Sequence, residues 1–393
     1  MNNQITILGA GVIGLSQALF LLKKGFNLTL IDPFVQPLLK PLLKPNHAVY
    51  SRVLALSPQT KDFLETLGAF EERATPYYHM RVWDGKGSGH IAFDATELGV
   101  PALGYIIEQA FILEALCHQL KPYLEKGKLI WLEKKPIALQ RDSAERIGVK
   151  LEDNCLIYSE LLIGADGANS WLRTAAGLAF TEQSYSQTAI VATIRAEKKH
   201  DNTAYQRFSE SGPLALLPLS DPNHLSIVWT QATEISQALF NLSEADFNQA
   251  LSQFSEKILG ELCLVGKRSS MALRSLQAQP YGADRVVLIG DSAHVIHPLA
   301  GLGANLGFQD VMTLGGLLVK QGDAQRDLGS QGVIQRYYRQ RIAHNEAVKH
   351  SMTALNRLFR SQNPLVKVIR NQGLDKINAF LGLKKWFAKQ AIG

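Results

Sequence analysis

Two aspartates that each follow an apolar strand are the side chains best placed for ligand chemistry in this sequence. Asp291 follows the run RVVLIG, and Asp166 follows LLIGA with Gly167 directly after it. Continuous apolar runs of this length predict strands that are covered on both faces by other layers. Because ligands of open α/β sheets gather at the carboxyl ends of the strands, both carboxylates are predicted to accept hydrogen bonds from sugar-like hydroxyl groups.

A turn that contains proline and glycine follows the strand RVVLIG and leads into a helix. This turn contains Pro298, Gly301 and Gly303. The segment ANLGFQDVMTLGGLLVKQ follows it, and the apolar residues of this segment have helical spacing. The first turn of that helix would present free N–H groups and the positive end of a dipole to a ligand. His294 and His297 lie in the same motif and are candidates either for proton transfer or for a structural hydrogen bond.

The amino-terminal segment ITILGAGVIGLSQALFLLKKGFNLTLID predicts a strand, a glycine turn, a helix and a second strand that ends in an acid. Gly9 permits the tight turn, Gly11 allows a pyrophosphate to approach the backbone, and Gly14 allows close packing of helix and strand. The helix N-terminus faces the phosphates, and Asp32 is placed for the ribose hydroxyls of an adenosine group. Because strand, helix and acid all occupy their required positions, the segment predicts a dinucleotide-binding domain.

Length and composition are those of an ordinary globular protein. The chain has 393 residues, of which 46% are hydrophobic and 19% charged, and this predicts one large or two closely packed domains. Three scattered cysteines without paired spacing favour a reducing compartment and give no sign of a zinc site. No apolar run reaches the length of a spanning helix, and the first strand begins at Ile5 without room for a signal peptide, so a cytoplasmic location is expected.

The positive charge is concentrated in the last part of the chain. Residues 331–393 contain twelve lysines and arginines against two acidic residues, a net charge of +10, whereas the preceding residues carry a net −4. No recognisable nucleic-acid-binding module accompanies this charge, so nucleic acid is not the expected partner. Three readings of this basic helical region stay open: peripheral contact with an anionic membrane face, an acidic protein partner, and a merely solvated helical face.

The order of these patterns predicts an α/β fold with a Rossmann-like nucleotide-binding domain, a second and mostly antiparallel sheet domain, and C-terminal helices. Segments such as TAIVATIRAE, GPLALLPLSD and HLSIVWTQA predict strands of the second domain, which would wall a substrate cavity. The predicted limits are residues 1–75 with 100–180 and 277–330 for the discontinuous nucleotide-binding domain, 76–99 with 181–276 for the substrate domain, and 331–393 for the basic helical region.

Three motifs in this order, GAGVIG, LLIGADGANS and RVVLIGDSAH, resemble those of the single-component flavoprotein aromatic hydroxylases with the para-hydroxybenzoate hydroxylase fold. The segments HVIHPLAGLGANLGFQD, RVLALS, GYIIEQ and RYYRQRIAHN extend the resemblance, along essentially the whole chain, to the ubiquinone-biosynthesis hydroxylase family. The resemblance implies bound FAD, reduction by NADH or NADPH, and attack by a flavin hydroperoxide derived from O2 on a polyprenylated phenol. The expected activity is that of an FAD-dependent aromatic-ring monooxygenase.

The resemblance also implies roles for individual residues. The implied cofactor-binding residues are Gly9, Gly11, Gly14, Asp32, Arg52, Gln109, Asp166, Gly167, Asp291, Gly303, Ala304 and Asn305. The implied residues of the turn beside the isoalloxazine ring are Pro298, Gly301, Leu302 and Gly303, with His297 as a candidate catalytic side chain. A surface ion pair is the alternative role for Arg52, and helix capping is the alternative for Gln109. The chemistry requires no metal and no protein nucleophile, because the cofactor supplies it.

Three positions depart from the pattern of the family. Leu302 stands where the family usually has Gln, Tyr50 where it has Asp, and Gln109-Ala110 where Asn-Arg is common. The tandem repeat PLLKPLLKP predicts an irregular loop near the adenosine side. Two other functions therefore stay open: hydroxylation of a soluble aromatic compound by the same fold, and a catalytically weak flavoprotein subunit that serves as a scaffold for other biosynthetic proteins.

Overall fold

The computed structural model describes most of the chain. The described residues are 4–33, 52–70, 73–85, 89–141, 143–296, 302–361, 363 and 366. Several predicted features lie outside them, namely the PLLKPLLKP repeat, Tyr50, the turn residues His297, Pro298 and Gly301, and the basic tail after residue 366. For Leu302 the backbone alone is described.

The described part of the chain begins with short strands and helices, has two strands of 17 residues in its middle, and ends with two long helices of 22 and 30 residues. The strands are β1 (Ile5–Leu8), β2 (Leu28–Ile31), β3 (Val53–Leu56), β4 (Thr75–Tyr77), β5 (His79–Asp84), β6 (His90–Asp94), β7 (Gly104–Glu108), β8 (Leu129–Leu132), β9 (Pro136–Arg141), β10 (Ile147–Leu151), β11 (Leu156–Ser159), β12 (Leu161–Gly164), β13 (Phe180–Ala196), β14 (Thr203–Phe208), β15 (Leu214–Pro218), β16 (His224–Ala232), β17 (Leu262–Ala278), β18 (Gly282–Ala283), β19 (Val286–Leu288) and β20 (His294–Val295). The helices are α1 (Val12–Lys23), α2 (Pro58–Leu67), α3 (Ala95–Leu98), α4 (Gln109–Glu125), α5 (Trp171–Ala175), α6 (Thr233–Asn241), α7 (Glu244–Phe254), α8 (Leu302–Asp323) and α9 (Gln331–Arg360).

A six-stranded sheet in the order β18-β19-β12-β1-β2-β8 forms the centre of the nucleotide-binding part. Its strands run parallel except for the edge pair β18–β19. In the middle of the sheet, Leu8 of β1 lies opposite Gly164 of β12, which in turn lies opposite Leu288 of β19. The carboxyl ends of these three strands therefore lie side by side, as the sequence predicts for strands that deliver ligand-binding loops.

Local sequence signals set the ends of the short helix α2, which follows β3. The Oγ atom of Ser57 accepts a hydrogen bond from the N–H of Thr60 at 3.2 Å, and Pro58 occupies the first helical position. The helix ends at Gly68, whose φ of +72° is the left-handed conformation that glycine adopts without strain. Both ends of α2 are therefore set by residues of its own segment.

An eight-stranded sheet in the order β20-β17-β13-β16-β15-β14-β5-β6 forms the second layer. All neighbouring pairs in it run antiparallel except β14 and β5. One face packs against α6 and α7 through Ile190, Trp229 and Phe247. These observations confirm the predicted fold class, whereas the predicted domain limits stay a prediction. The sequence did not indicate α6, because β16 runs directly into it at Thr233 without turn residues in between.

The long helix α9 connects the two layers. Near its start Tyr337 is fully buried in the core of the nucleotide-binding part. Near its end Phe359 stacks on Phe208 of β14, with ring centroids 3.9 Å apart. These aromatic residues of α9 therefore contribute to cores, which fixes the helix against both sheets. No helix within the described ranges is long and apolar enough to cross a membrane.

Candidate active site

The glycine turn between β1 and α1 has the shape of a phosphate-binding loop. Gly9 has a φ of +103°, and a side chain there would overlap the backbone of Ala165. A Cβ atom on Gly14 would overlap the carbonyl oxygen of Gly9, whereas no described atom beyond the chain neighbours comes within 4 Å of a Cβ built on Gly11. Since α1 begins at Val12 without a side-chain cap, its first N–H groups are left to face a ligand.

Asp32 lies beside this turn, directly after β2. Its Oδ2 atom accepts a hydrogen bond from the backbone N–H of Ala10 at 2.6 Å. The carboxylate is thereby held at the edge of the sheet where the first helix begins. This is the position that the sequence predicts for an acid that binds ribose hydroxyls. The contact with ribose itself stays a prediction.

Asp166 lies in the loop after β12, and its two carboxylate oxygens have different surroundings. Oδ2 accepts a hydrogen bond from the N–H of Leu172, in the first turn of α5, at 3.0 Å. Oδ1 is buried and has no hydrogen-bond partner among the described residues. Burial raises the pKa of Asp166, and the hydrogen bonds from Ser170 and Leu172 only partly oppose this. A buried acceptor without a partner is costly in a folded protein and is the kind of atom that a ligand hydroxyl satisfies.

Asp291 lies in the neighbouring loop, after β19. The two loops are joined by the buried Arg173, to which the sequence pattern gave no role. Its Nη1 atom donates to the carbonyl oxygen of Ser292 at 2.9 Å, and its Nη2 atom donates to that of Ala168 at 3.0 Å. Asp291 itself is exposed, so its carboxylate can be reached by a ligand.

The N-terminal turn of α8 is fixed to the small sheet by Asn305. Its Oδ1 atom accepts from the N–H of Ser57 at 2.9 Å, and its Nδ2 atom donates to the carbonyl oxygen of Ala55 at 2.8 Å. The side-chain amide of Asn305 is therefore engaged with β3 and the residue after it. The N–H groups of Gly303 and Ala304 lie in the first turn, where an α-helix lacks internal acceptors, and these remain the groups suited to a cofactor.

Arg52 and Gln109 are brought together by the sheet formed by β3, β7 and β4. Val53 of β3 pairs with Glu108 of β7, and the N–H of Gln109 donates to the carbonyl oxygen of Arg52 at 2.9 Å. Gln109 is the first residue of α4, and that helix has no side-chain cap, so the capping alternative is not seen. Arg52 is exposed. Contact of either side chain with a cofactor stays a prediction.

His294 lies in a buried charge cluster that the sequence reasoning did not anticipate. Its Nε2 atom is 2.6 Å from Oδ2 of Asp310, whose Oδ1 atom accepts from Nε of Arg341 at 2.6 Å. Burial favours a raised pKa for Asp310, but the charges and hydrogen bonds of His294 and Arg341 outweigh it and hold that pKa below its usual range. His294 is 2% exposed, which supports the structural alternative over proton transfer. A signal was present, because Tyr337, Arg341 and Asn345 are spaced four apart on one buried helix face.

The face of the large sheet opposite α6 and α7 is the surface on which the sequence predicts the substrate cavity. Side chains alternate between the two faces of a strand, so this face carries the residues between those of the apolar core. Its residues on the two central strands are Gln187, Ala189, Val191 and Thr193 of β13 and Ser226, Val228 and Thr230 of β16. They combine small, apolar and hydroxyl-bearing side chains, which suits contact with a phenol.

The residues present fit a flavin dinucleotide. The glycine turn leaves space at Gly11 for a pyrophosphate, and the uncapped start of α1 supplies N–H donors to it. The orphan Oδ1 atom of Asp166 and the exposed carboxylate of Asp291 offer acceptors to hydroxyl groups in adjacent loops. A Rossmann-like edge of this kind, joined to a large antiparallel sheet, defines the class of FAD-dependent aromatic-ring monooxygenases.

Comparisons with known proteins agree with this class. Residues 135–351 match the family described as FAD binding domain. The chain is 30% identical, over 100% of both chains, to 3-demethoxyubiquinol 3-hydroxylase of Escherichia coli (strain K12). It is 32% identical to ubiquinone biosynthesis monooxygenase COQ6, mitochondrial, of Homo sapiens, over 85% of this chain and 80% of that protein. The chain therefore belongs to the family of FAD-dependent ubiquinone-biosynthesis hydroxylases.

The solved structures with a similar fold are more distant in sequence. The p-nitrophenol 4-monooxygenase PnpA of Pseudomonas putida DLL-E4 superposes with a TM-score of 0.77 at 16% identity, covering 100% of this chain and 98% of that one. PqsL of Pseudomonas aeruginosa, described as a probable FAD-dependent monooxygenase, gives a TM-score of 0.77 at 18% identity, covering 96% of this chain and 100% of that one. At this level of identity the similarity establishes the fold.

Proposed function

We propose that this protein hydroxylates the aromatic ring of a polyprenylated phenol on the route to ubiquinone, with NADH or NADPH as reductant and O2 as oxidant. The observation that carries the proposal is the meeting of three ligand loops at one sheet edge, in a chain whose relatives are named as a 3-demethoxyubiquinol 3-hydroxylase and a ubiquinone biosynthesis monooxygenase. The family membership makes FAD the cofactor.

The residues of this chain would hold FAD from three directions. The turn at Gly11 and the start of α1 would bind the pyrophosphate, with Asp32 on the adenosine side. Asp166 and Asp291 would accept hydrogen bonds from hydroxyl groups of the cofactor, and Arg52 and Gln109 would lie near its pyrophosphate and ribityl chain. When bound, FAD would supply the redox chemistry, namely hydride acceptance from NAD(P)H and activation of O2, with one oxygen atom going to the phenol ring and the other leaving as water.

The protein contributes position and electrostatics to this reaction. The N–H groups of Gly303 and Ala304 would donate toward the ring of the cofactor, and the positive end of the α8 dipole would stabilise negative charge there. The hydroxyl-bearing and small residues on the face of the large sheet opposite α6 and α7 would orient the phenol, while its apolar residues exclude water. No proton-transfer residue is assigned, because the buried His294 is engaged with Asp310 and the candidate His297 lies outside the described residues.

The experiment that tests this function is mass spectrometry of lipid extracts from cells depleted of the protein. We expect loss of the mature quinone and accumulation of a polyprenylated phenol that lacks one oxygen atom, and the accumulated species would identify the ring position and the prenyl length. Gly316→Ala, a change in an uncrowded part of α8, should restore the quinone, whereas Gly11→Val should not. Unchanged quinone in a strain without a redundant hydroxylase would refute the proposal and direct attention to soluble aromatic substrates.

We further propose that the protein works at the cytoplasmic face of a membrane, which it contacts through the basic C-terminal region. The support is the exposed row of Arg336, Arg339 and Arg357 along α9, together with the further lysines that follow α9 in the sequence. Flotation with anionic and with neutral vesicles tests it. The wild type should float with anionic vesicles, and a variant with glutamine at all three arginines should float less. Equal flotation of both proteins would instead favour a merely solvated face.

A further inference from the structure

A buried group of charged side chains joins the N-terminal half of α8 to β20 and α9. Its centre is Asp310, which is 0% exposed. The carboxylate accepts from Nε of Arg341 at 2.6 Å and from the N–H of Gly290 at 2.9 Å, and it lies 2.6 Å from Nε2 of His294. One carboxylate thus contacts the loop after β19, the short strand β20 and the helix α9.

Arg341 extends the cluster to the start of α8. Its Nη2 atom donates to the carbonyl oxygen of Leu306 at 3.2 Å and to Oδ1 of Asn345 at 2.9 Å. Its Nη1 atom donates to Oε1 of Gln309 at 3.1 Å. The guanidinium therefore holds the first two turns of α8 from the side that faces α9.

The cluster also reaches the large sheet. Asn345 donates to the hydroxyl oxygen of Tyr281 at 3.0 Å, and Gln277 of β17 donates to the same atom at 2.6 Å. His294, on β20, pairs with Gln277 in the sheet register. One network therefore ties the substrate sheet to the helix whose first N–H groups face the proposed flavin position.

Stability alone does not account for so many buried charges. Burying a carboxylate and a guanidinium costs much desolvation energy, and well-packed apolar side chains of similar volume often give a fold that is as stable or more stable. A charged network with directional hydrogen bonds does what apolar packing does not: it fixes the relative position of the groups to within hydrogen-bond geometry. The start of α8 is the element on which this precision would matter, because electrostatic stabilisation depends on donor distance.

We propose that His294, Asp310 and Arg341 are positioning residues that hold the N-terminal turn of α8 at the distance from the flavin ring at which its dipole stabilises the reduced, anionic flavin. The proposal rests on the placement of the ring beside Gly303 and Ala304 given above. It does not depend on which phenol is the substrate, because the reduction potential is a property of the holoenzyme alone.

The test compares flavin midpoint potentials of FAD-saturated variants without substrate. His294→Leu removes the ring nitrogen that bonds Asp310, while His294→Gln keeps a donor near the position of Nε2. With His294→Leu we expect the ratio of reduced to oxidised flavin at a fixed ambient potential to fall about tenfold, the effect of losing one charge-assisted hydrogen bond. His294→Gln should restore the ratio, and the visible circular dichroism of the flavin should change and recover in parallel.

A matched pair of arginine variants separates positioning from stability. Arg341→Lys keeps the charge but loses the fork that binds Asp310 and Leu306, so it should also lower the potential. Arg285→Lys is the control, because Arg285 binds Asp327 with both Nη atoms at 2.7 and 2.8 Å, in another part of the molecule. It should lower the melting temperature and leave the potential unchanged. If Arg341→Lys and His294→Leu lower the melting temperature while the potential and dichroism stay at the wild-type values, the positioning role is overturned. Should His294→Leu not fold, Arg341→Lys decides by itself.

Discussion

Asp166 in the loop after β12 is half-buried, Asp310 of α8 is fully buried against the loop after β19, and the two carboxylates have opposite surroundings. Asp310 has hydrogen-bond partners from three elements, and its pKa lies below the usual range. Asp166 has a buried Oδ1 atom without a described partner, and its pKa is raised. The surroundings of Asp166 and those of Asp310 therefore serve different purposes. The side at Asp310 is complete within the protein, whereas the side at Asp166 is left for a ligand to complete.

The largest expected effect on stability lies on the side at Asp310. Asp310→Asn removes the negative charge between Arg341 and His294 and leaves a buried guanidinium without its counter-charge. Loss of one partner of a buried ion pair costs about 3–5 kcal/mol, so the free energy of unfolding of the FAD-free protein should fall by that amount. Urea denaturation measures it. A loss below about 1 kcal/mol would mean that the cluster is not energetically coupled.

On the side at Asp166, the same change from carboxylate to amide should not destabilise the fold and should weaken the binding of the cofactor instead. Asp166→Asn keeps an oxygen that can accept from Leu172 but removes the negative charge, which burial disfavours. We expect the FAD-free protein to be as stable as the wild type or slightly more stable, and FAD binding to weaken about tenfold through the loss of a charge-assisted hydrogen bond. Titration of the apoprotein with FAD, followed by flavin fluorescence, measures the affinity. An unchanged affinity would place Asp166 outside the cofactor site.

The pH dependence of stability should have opposite signs for the two carboxylates. Asp310 has a lowered pKa, so its contribution is present above the unfolded value of 3.8 and is lost as the pH falls through the lower folded value. Asp166 has a raised pKa, so its contribution is present below 3.8 and is lost as the pH rises through the higher folded value. Denaturation of apoprotein across this range, with Asp166→Asn as reference, checks the sign. The stability of the wild type relative to this variant should decrease as the pH rises above 3.8.

The smallest effects concern two adjacent glycines of α8, the helix that carries Asp310. A Cβ atom on Gly315 would lie 2.6 Å from the ring of Phe20 on α1, whereas one on Gly316 has no described neighbour within 4 Å apart from its own helix and chain neighbours. Gly315→Ala should destabilise the protein by about 1–3 kcal/mol through overpacking. Gly316→Ala should stabilise it by up to about 1 kcal/mol, because alanine is the better helix former. Thermal melting compares them, and equal shifts would show that α8 can move away from α1.

Much of the cofactor side could be predicted from the sequence, since its requirements are local. The glycines of the first turn are dictated by backbone conformation and close approach, and these needs are visible within a few residues. The strand ends at Asp166 and Asp291 could be inferred from apolar runs, and the parallel pairing of β1, β12 and β19 confirms that they meet at one edge. Even here Asn305 differs in detail, because its side chain binds β3.

The contacts around Asp310 could not be predicted from the sequence in the same way. Asp310 and Arg341 are separated by 31 positions, and nothing in either local segment states that the two helices bring them together. The roles of Arg173 as a link between two loops and of Tyr281 as a shared acceptor are equally non-local. Helix α6 was missed for a different reason, because no breaker residue marks the end of β16.

The kind of ligand and the fold class could thus be predicted from short segments, since a dinucleotide-binding loop and an alternating strand pattern depend on local backbone preference and polarity. The tertiary structure alone decided which carboxylate is satisfied by the protein and which is left open. That outcome depends on whether donors from distant segments reach a given oxygen within about 3 Å, a distance that only the packing of helices on sheets can set.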